Sequence, residues 1–156
     1  MKQRIQSIYL VLAGLFPAIT YFVPLVLFTQ STDTSPQWFT LSSLCYDATS
    51  FAEMAGRHPW GLMITAFIAV ILPIVTIFGY NNRKKQIKFV NYAMFVNLLW
   101  YVALIAYTFS VKDRTLTTLS FEVGCLFPLL SLITLYLAKH AIKRDEALVR
   151  AADRIR

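Results

Sequence analysis

Four long stretches that are nearly free of charge dominate this sequence. They cover residues 8–28, 60–80, 91–110 and 121–138. About twenty helical residues rise roughly 30 Å, which matches the hydrocarbon thickness of a typical bilayer. A hydrophobic content of 57% in 156 residues is also too high for a soluble domain of this size. The sequence therefore predicts an all-α membrane protein in which residues 1–156 form a single four-transmembrane-helix bundle.

The charges are distributed unevenly among the segments that these four spans would separate. All but three of the fifteen Lys and Arg residues lie before the first span, between the second and third spans, or after the fourth, and the exceptions are Arg57, Lys112 and Arg114. Cytoplasmic loops of membrane proteins carry an excess of Lys and Arg, so we expect a bacterial inner-membrane protein with both termini in the cytoplasm. Because insertion beside anionic lipid accounts for the net charge of +7, no nucleic-acid partner is expected.

The fourth span is predicted to continue as a charged cytoplasmic helix over residues 139–156. No Gly or Pro follows Pro128 in the sequence. Glu146 precedes Arg150 by four residues, a spacing at which opposite charges stabilise a helix. One helix therefore serves as both the last span and the tail.

A narrow apolar stripe runs along this tail, because Ala141, Leu148 and Ile155 follow each other at intervals of seven residues. The stripe could dock on the chain's own basic loop, on a second copy of the chain, or on another protein. The alternative is a tail that lies against anionic headgroups without a protein partner. The residues expected to contact a partner or lipid are Arg83, Lys84, Lys85, Lys88, Lys143, Arg144, Leu148, Arg150, Arg154 and Ile155.

Two segments on the outer side of the predicted topology have the composition of strands. Residues 37–46 and 111–120 are rich in Thr, aromatic and apolar side chains. They could pair as a small β element over the bundle, or they could be separate surface loops with interfacial aromatic rings. Composition leaves both alternatives open.

Both cysteines fall on this outer side, Cys45 in the long first loop and Cys125 at the start of the fourth span. In an oxidising compartment they could form a disulfide that ties the loop to the span. The bond requires Cα atoms within about 7 Å of each other. The alternative is a free thiol at Cys45 and a packed apolar side chain at Cys125.

Few polar residues lie inside the spans. Asn97 is near the middle of the third, where a buried amide usually bonds to a neighbouring helix, so we expect an interhelix polar contact. Among Asp, Glu, Lys, Arg and His, only Glu122 falls within a span, at the edge of the fourth, which argues against proton-coupled transport. A pore lined by Asn97, Tyr101, Ser131 and Thr134 would need several copies of the chain.

The sequence shows no pattern of catalytic or metal-binding residues. His58 and His140 fall on opposite sides of the predicted membrane, so they cannot share a metal ion. No Ser or Cys stands beside a general base in a recognisable arrangement. We therefore expect a protein that is not an enzyme and that uses no metal or cofactor.

Three segments of the sequence are similar to those of a known family. They are residues 3–10, 83–88 and 142–156, and the most specific is the run Asp-Glu-x-Leu-Val-Arg-x-x-Asp-Arg at residues 145–154. Through these runs the sequence resembles, over nearly its whole length, the domain of unknown function 4293 family, small four-span proteins of Bacteroidetes inner membranes. The resemblance implies a four-helix integral membrane protein. It carries no activity, substrate or site residue.

The most distinctive charged segments of the sequence are the tail and the basic loop, which favours an interaction role. We expect a non-catalytic accessory or scaffold subunit of a membrane complex that docks through these two segments. Its expected partners are other membrane subunits or a second copy of the chain, together with anionic lipid headgroups. The alternative is a small transporter or channel component that acts as an oligomer.

Overall fold

The computed structural model describes residues 3–31, 36–48, 58–79, 83–115 and 118–153. Within these ranges four helices pack side by side and carry a four-stranded sheet. The helices are α1 (Gln3–Ile19), α2 (Trp60–Phe78), α3 (Arg83–Thr115) and α4 (Leu126–Asp153), and the strands are β1 (Val26–Ser31), β2 (Pro36–Leu41), β3 (Tyr46–Ala48) and β4 (Thr118–Phe121).

Consecutive helices run in opposite directions. The amide of Gly61, in the first turn of α2, donates to the hydroxyl of Tyr107 near the end of α3 at 3.0 Å. Where α2 ends and α3 begins, the side chain of Gln86 donates to the carbonyl oxygen of Thr76 at 3.0 Å. α2 and α3 are therefore antiparallel. Because β4 begins three residues after α3 ends, the sheet lies at the end of the bundle that holds the start of α2 and the end of α3. We call this the sheet end.

The opposite end of the bundle holds the starts of α1 and α3 and the end of α4. Gln6 in α1 contacts Ala141 in the second half of α4, which shows that these two helices are also antiparallel. Basic residues of all three helices lie here, so we call it the basic end.

The bundle exposes many large apolar side chains, and its interior includes small and polar ones beside the buried apolar residues. Phe67, Phe95 and Val102 are each more than half exposed. Small side chains at helix contacts are typical of bundles in lipid, whereas a soluble protein buries its large apolar residues. Small or polar residues in the interior include Ala13, Ala66, Ala69, Ala93, Ala138, Thr76, Asn97 and Ser131.

Among the described residues, three stretches are long and apolar enough to cross a membrane, namely Trp60–Phe78, Lys85–Ser110 and Val123–Leu148. The apolar part of α1 is shorter and covers Ile5–Ile19. Together with the exposed apolar surface, these stretches indicate an integral membrane protein.

The predicted first span, residues 8–28, is wrong in its second half, because α1 ends at Ile19. The amide of Thr20 turns back onto the carbonyl of Pro17 at 3.2 Å. Pro24 has no N–H and disfavours the helical conformation of the residue before it. The chain then forms β1, which has a hydrogen-bonding partner on each side.

The predicted fourth span, residues 121–138, begins too early. Phe121 ends β4, a single 3₁₀ turn follows at Val123–Cys125, and α4 begins only at Leu126. Pro128 does not interrupt α4, because amides in the first turn of a helix have no acceptor within it.

The other two predicted spans lie within helices of the structure. α2 begins at Trp60 as expected, and residue 80 lies outside the described residues. α3 extends the predicted span 91–110 at both ends, because the flanking polar residues are adequate helix formers. The predicted continuation of the last helix into the tail is confirmed as far as Asp153, and residues 154–156 lie outside the described part.

A small β element is confirmed, but its pairing differs from the one expected. The strand order is β3-β2-β1-β4, with antiparallel neighbours. Segments 37–46 and 111–120 do not pair with each other, because β1 lies between their strands. Val26 in β1 pairs with Leu41 on one side and with Phe121 on the other.

Two clusters of buried apolar residues fill the interior. The cluster at the sheet end joins the sheet to α2 and α3, and there the rings of Phe28 and Phe39 stack with centroids 4.6 Å apart. The cluster at the basic end joins α1, α3 and α4. It includes Ile142, which is fully buried although it lies beyond the predicted span. Part of the charged tail is thus packed into the bundle.

Candidate functional site

A proline in α1 and a serine in α4 create the hydrogen bond that joins these two helices. Pro17 has no N–H, so the carbonyl of Ala13, four residues earlier, lacks its usual intrahelical donor. The hydroxyl of Ser131 donates to this carbonyl at 2.8 Å, in a fully buried position. The contact holds the first turns of α4 against the second half of α1, on the side of the bundle toward the sheet end.

A second contact between the two helices lies at the basic end itself. The side-chain amide of Gln6 donates to the carboxylate of Asp145 and lies 3.5 Å from the carbonyl oxygen of Ala141. Gln6 is only 7% exposed, so its amide is held between the helices. This hydrogen bond holds the carboxylate of Asp145 next to α1.

The basic residues proposed for docking are brought together on two helices at this end. On α3, Arg83 is half-buried, and its Nη1 atom is buried without a hydrogen-bond partner among the described residues. The other four whose side chains the structure describes are exposed, namely Lys85, Lys88, Lys143 and Arg144. The side chains of Lys84 and Arg150, and Arg154 and Ile155 altogether, lie outside the described part.

The apolar stripe of the tail divides into a packed part and an exposed part. Ala141 is half-buried and its neighbour Ile142 is fully buried. One to two turns further, Ala147 is exposed and Leu148 is 50% exposed. Leu148 therefore presents an exposed apolar side chain in a short apolar run, residues 147–149, that charged residues flank on both sides.

A groove of about 250 Å³ runs between α1 and α4 at the same end. One wall is apolar and the other carries charged groups. It is lined by Ile5, Gln6, Tyr9, Leu137, His140, Ala141, Arg144 and Asp145.

The two cysteines are free, so the disulfide considered between Cys45 and Cys125 is not formed. The thiol of Cys125 donates instead to the carbonyl oxygen of Leu25 at 3.0 Å. This bond places Cys125 against the start of β1. The backbone carbonyl of Cys45 accepts hydrogen bonds from the amide and the hydroxyl of Ser42 within the β2–β3 turn.

The expected interhelix bond of Asn97 is also not the one that the structure contains. Its side-chain amide donates to the carbonyl of Ala93 on the same helix at 2.9 Å. A short polar side chain such as that of Asn can hydrogen-bond to the carbonyl four residues earlier in its own helix, and Asn97 forms this local bond. Asn97 Oδ1 and Trp100 Nε1 are buried without a hydrogen-bond partner in the described part.

The other polar groups considered for a pore also make bonds inside the fold. The Ser131 hydroxyl bonds to α1, as described above. The Thr134 hydroxyl donates to the carbonyls of Leu130 and Ser131 on its own helix. The Tyr101 hydroxyl donates to the carbonyl of Cys125 at 2.7 Å. Each of these hydroxyls therefore has a structural role.

Tyrosine hydroxyls form a set of contacts at the sheet end that sequence reasoning did not identify. Tyr21, in the turn after α1, donates to the carbonyl of Met63 in α2 at 2.6 Å. Tyr101 and Tyr107 make the bonds to Cys125 and Gly61 given above. The available sequence signal is weak: amphipathic tyrosines collect where a membrane meets water.

The histidines lie at opposite ends of the bundle, as the sequence predicts. Nδ1 of His58 lies 2.8 Å from the carbonyl oxygen of Leu44 in the turn between β2 and β3. His140 lines the groove at the basic end. No group of three or more His, Cys, Asp or Glu side chains in the described ranges is placed to hold a metal ion.

Comparison with curated proteins found no match. A family model described as a domain of unknown function (DUF4293) matches residues 2–155, nearly the whole chain. The match covers the helical bundle, the sheet and the tail alike. The chain therefore belongs to the DUF4293 family.

Proposed function

We propose that this chain is a non-catalytic accessory or scaffold subunit of a complex in a bacterial inner membrane. Its basic end faces the cytoplasm and docks a partner subunit or a second copy. The observation that carries the proposal is the exposed Leu148 on an unbroken helix, at the same end as four exposed cations.

The orientation rests on charge. All but three of the fifteen Lys and Arg residues fall in residues 1–4, 83–88 and 139–156 of the sequence. The described parts of these segments are the start of α1, the start of α3 and the second half of α4, which lie at the basic end. Segments rich in Lys and Arg stay on the cytoplasmic side during insertion. The sheet then faces the opposite side of the membrane.

The hydrogen bonds of three hydroxyls argue against a channel or carrier. Ser131 bonds across to α1, Tyr101 bonds to Cys125 just before α4, and Thr134 bonds to carbonyls of its own helix. A channel or carrier needs polar groups that are free to replace the hydration shell of a solute. These three hydroxyls are already engaged with backbone carbonyls.

The docking surface consists of Leu148 and the cations Lys85, Lys88, Lys143 and Arg144. An apolar anchor surrounded by charged residues is the usual anatomy of a protein interface, in which the anchor contributes affinity and the charged rim guides association. The packed part of the tail positions this surface, because Ile142 is buried in the cluster that α4 forms with α1 and α3.

The proposal is tested by changing the anchor without disturbing the packed part of the tail. Leu148→Ser and a chain that ends after Ala147 leave Ile142 and the Gln6 contact in place. We expect both to insert normally and to lose the subunits that co-purify with the full chain from native membranes in mild detergent.

Ala147→Ser is the matched control, because Ala147 is also exposed and lies on a different face of the helix, about 100° away. It should retain the same co-purifying subunits. An unchanged set of subunits in both Leu148 variants would contradict the docking role of the tail.

A further inference from the structure

The groove between α1 and α4 lies where α4 passes from apolar to charged sequence. Leu137 closes the apolar stretch of α4, and His140 and Arg144 follow on the same wall. On the other wall, Ile5 and Tyr9 belong to the first turns of α1. Toward the middle of the bundle the groove is lined by Tyr9 and Leu137, and Ile5 lies level with the charged residues at the basic end. This change from apolar to charged lining is the one expected of a site at the depth of lipid headgroups.

The polar end of the groove presents charges of both signs. The guanidinium of Arg144 is exposed, and the neighbouring carboxylate of Asp145 also lines the groove. Gln6, which is almost fully buried, donates a hydrogen bond to one oxygen of that carboxylate. An ionised carboxylate has acceptor sites on both oxygens, so Asp145 can accept further hydrogen bonds from a ligand.

This pair of opposite charges distinguishes the groove from the rest of the basic end. A general attraction for anionic lipid would need cations alone, and an acid fixed in the site would repel a second negative charge. A phosphate next to a primary ammonium satisfies both groups, since guanidinium pairs well with phosphate and an ammonium has three donors for a carboxylate.

We propose that the groove between α1 and α4 binds the headgroup of a zwitterionic phospholipid with a primary ammonium, that is, a phosphatidylethanolamine. Arg144 contacts the phosphate, Asp145 accepts from the ammonium, and an acyl chain runs along Tyr9 and Leu137. The volume of about 250 Å³ suits a headgroup, because pockets for drug-sized ligands start at about 300 Å³. This site shares Arg144 with the docking surface but does not include Leu148, and its lipid binding requires no protein partner.

The test is lipid competition on the purified full-length chain. The protein is incubated in mild detergent with equal amounts of phosphatidylethanolamine, phosphatidylcholine and phosphatidylglycerol, and bound lipid is counted by native mass spectrometry. We expect phosphatidylethanolamine to be retained over each of the other two by about fivefold or more, which corresponds to about 1 kcal/mol. Phosphatidylcholine should bind weakly because its quaternary ammonium has no N–H.

Asp145→Asn removes the negative charge and keeps an acceptor for Gln6. We expect this variant to lose the preference for phosphatidylethanolamine over phosphatidylglycerol, while Glu146→Gln, the adjacent acid outside the groove, keeps it. Arg144→Gln should weaken all three lipids together, and Lys143→Gln, the neighbouring exposed cation outside the groove, should not.

Equal retention of phosphatidylethanolamine and phosphatidylglycerol by the unchanged protein would overturn the proposal, as would an unchanged preference in Asp145→Asn. If that variant unfolds at a lower temperature than the unchanged protein, the comparison of ethanolamine with choline lipid on the unchanged chain still decides. The lipid test is done on the purified chain, without a partner subunit. Its failure would therefore overturn the lipid site alone, and the Leu148 variants test the docking role separately.

Discussion

At the scale of single residues, a hydrogen bond to one backbone carbonyl group joins α1 and α4. Pro17 leaves the carbonyl of Ala13 without a donor, and Ser131 supplies one from the opposite helix. A lipid-embedded bundle cannot offer water to such a carbonyl, so a neighbouring helix must satisfy it. A serine on α4 and a proline on α1 thus act as a pair, although 114 residues separate them in the sequence.

Ser131→Ala is expected to destabilise the bundle by about 1 kcal/mol, because it leaves the buried Ala13 carbonyl without a donor. The cost should fall toward zero when Pro17→Ala is also present, since an alanine at position 17 restores the intrahelical N–H. Reversible unfolding of the four proteins of this double-mutant cycle in detergent measures the coupling.

Thr134→Ala is the control for this cycle, because the Thr134 hydroxyl bonds only to carbonyls of its own helix in the hydrogen bonds described here. Its effect should not depend on the residue at position 17. A cost of Ser131→Ala that is the same with proline or alanine at that position would show that the carbonyl of Ala13 does not need the serine.

At the scale of elements, α4 is one helix with three environments along its length. Its first part is apolar, its middle buries Ile142 in the cluster with α1 and α3, and its later turns expose Ala147 and Leu148. Continuity of the helix follows from good helix formers and the absence of Gly and Pro after Pro128. The division into packed and exposed parts follows from where α1 begins.

Ile142→Ala and Leu148→Ala should therefore have different effects on stability. Ile142 is fully buried, so its truncation should cost about 2–5 kcal/mol. Leu148 is half exposed, and its truncation should change the free energy of unfolding by less than about 0.5 kcal/mol. Denaturant titration of both variants in the same detergent makes the comparison; a large loss at Leu148 would mean that the end of the tail packs on this chain.

At the scale of the whole molecule, the two ends of the bundle differ in charge and in architecture. The sheet closes one end, with the stacked rings of Phe28 and Phe39 beneath its strands. Close approach of backbone matters there, since a Cβ on Gly124 would overlap the carbonyl of Pro24. The other end carries the cations, both helical termini of the chain and the groove.

Labelling of single cysteines tests which end faces the cytoplasm. In a chain carrying Cys45→Ala and Cys125→Ala, Asp47→Cys reports on the sheet end and Ala147→Cys on the basic end, since both positions are exposed. A maleimide that cannot cross the inner membrane should label position 47 in intact cells with a permeabilised outer membrane. Position 147 should react only after the inner membrane is opened, and the reverse pattern would contradict the proposed orientation.

The sequence by itself determined the features that depend on local composition. Uncharged stretches of about twenty residues predict membrane helices, and the run of helix formers after Pro128 predicts a continuous tail, because both properties are sums over neighbouring residues. The distribution of Lys and Arg along the sequence also predicts that one end of the bundle is basic. Helix content was accessible in this way, and a small β element was one of the two alternatives that composition left open.

Only the tertiary structure decided which residues meet. The apolar run at Val26–Phe28 suits a membrane helix and a strand equally, and it became β1 because β2 and β4 supply hydrogen bonds on both sides. Asn97 bonds within its own helix and Ser131 bonds across to α1, although both are polar residues in apolar sequence. The physical reason is that a hydrogen bond depends on the position of a partner far along the chain, and composition carries no information about that distance.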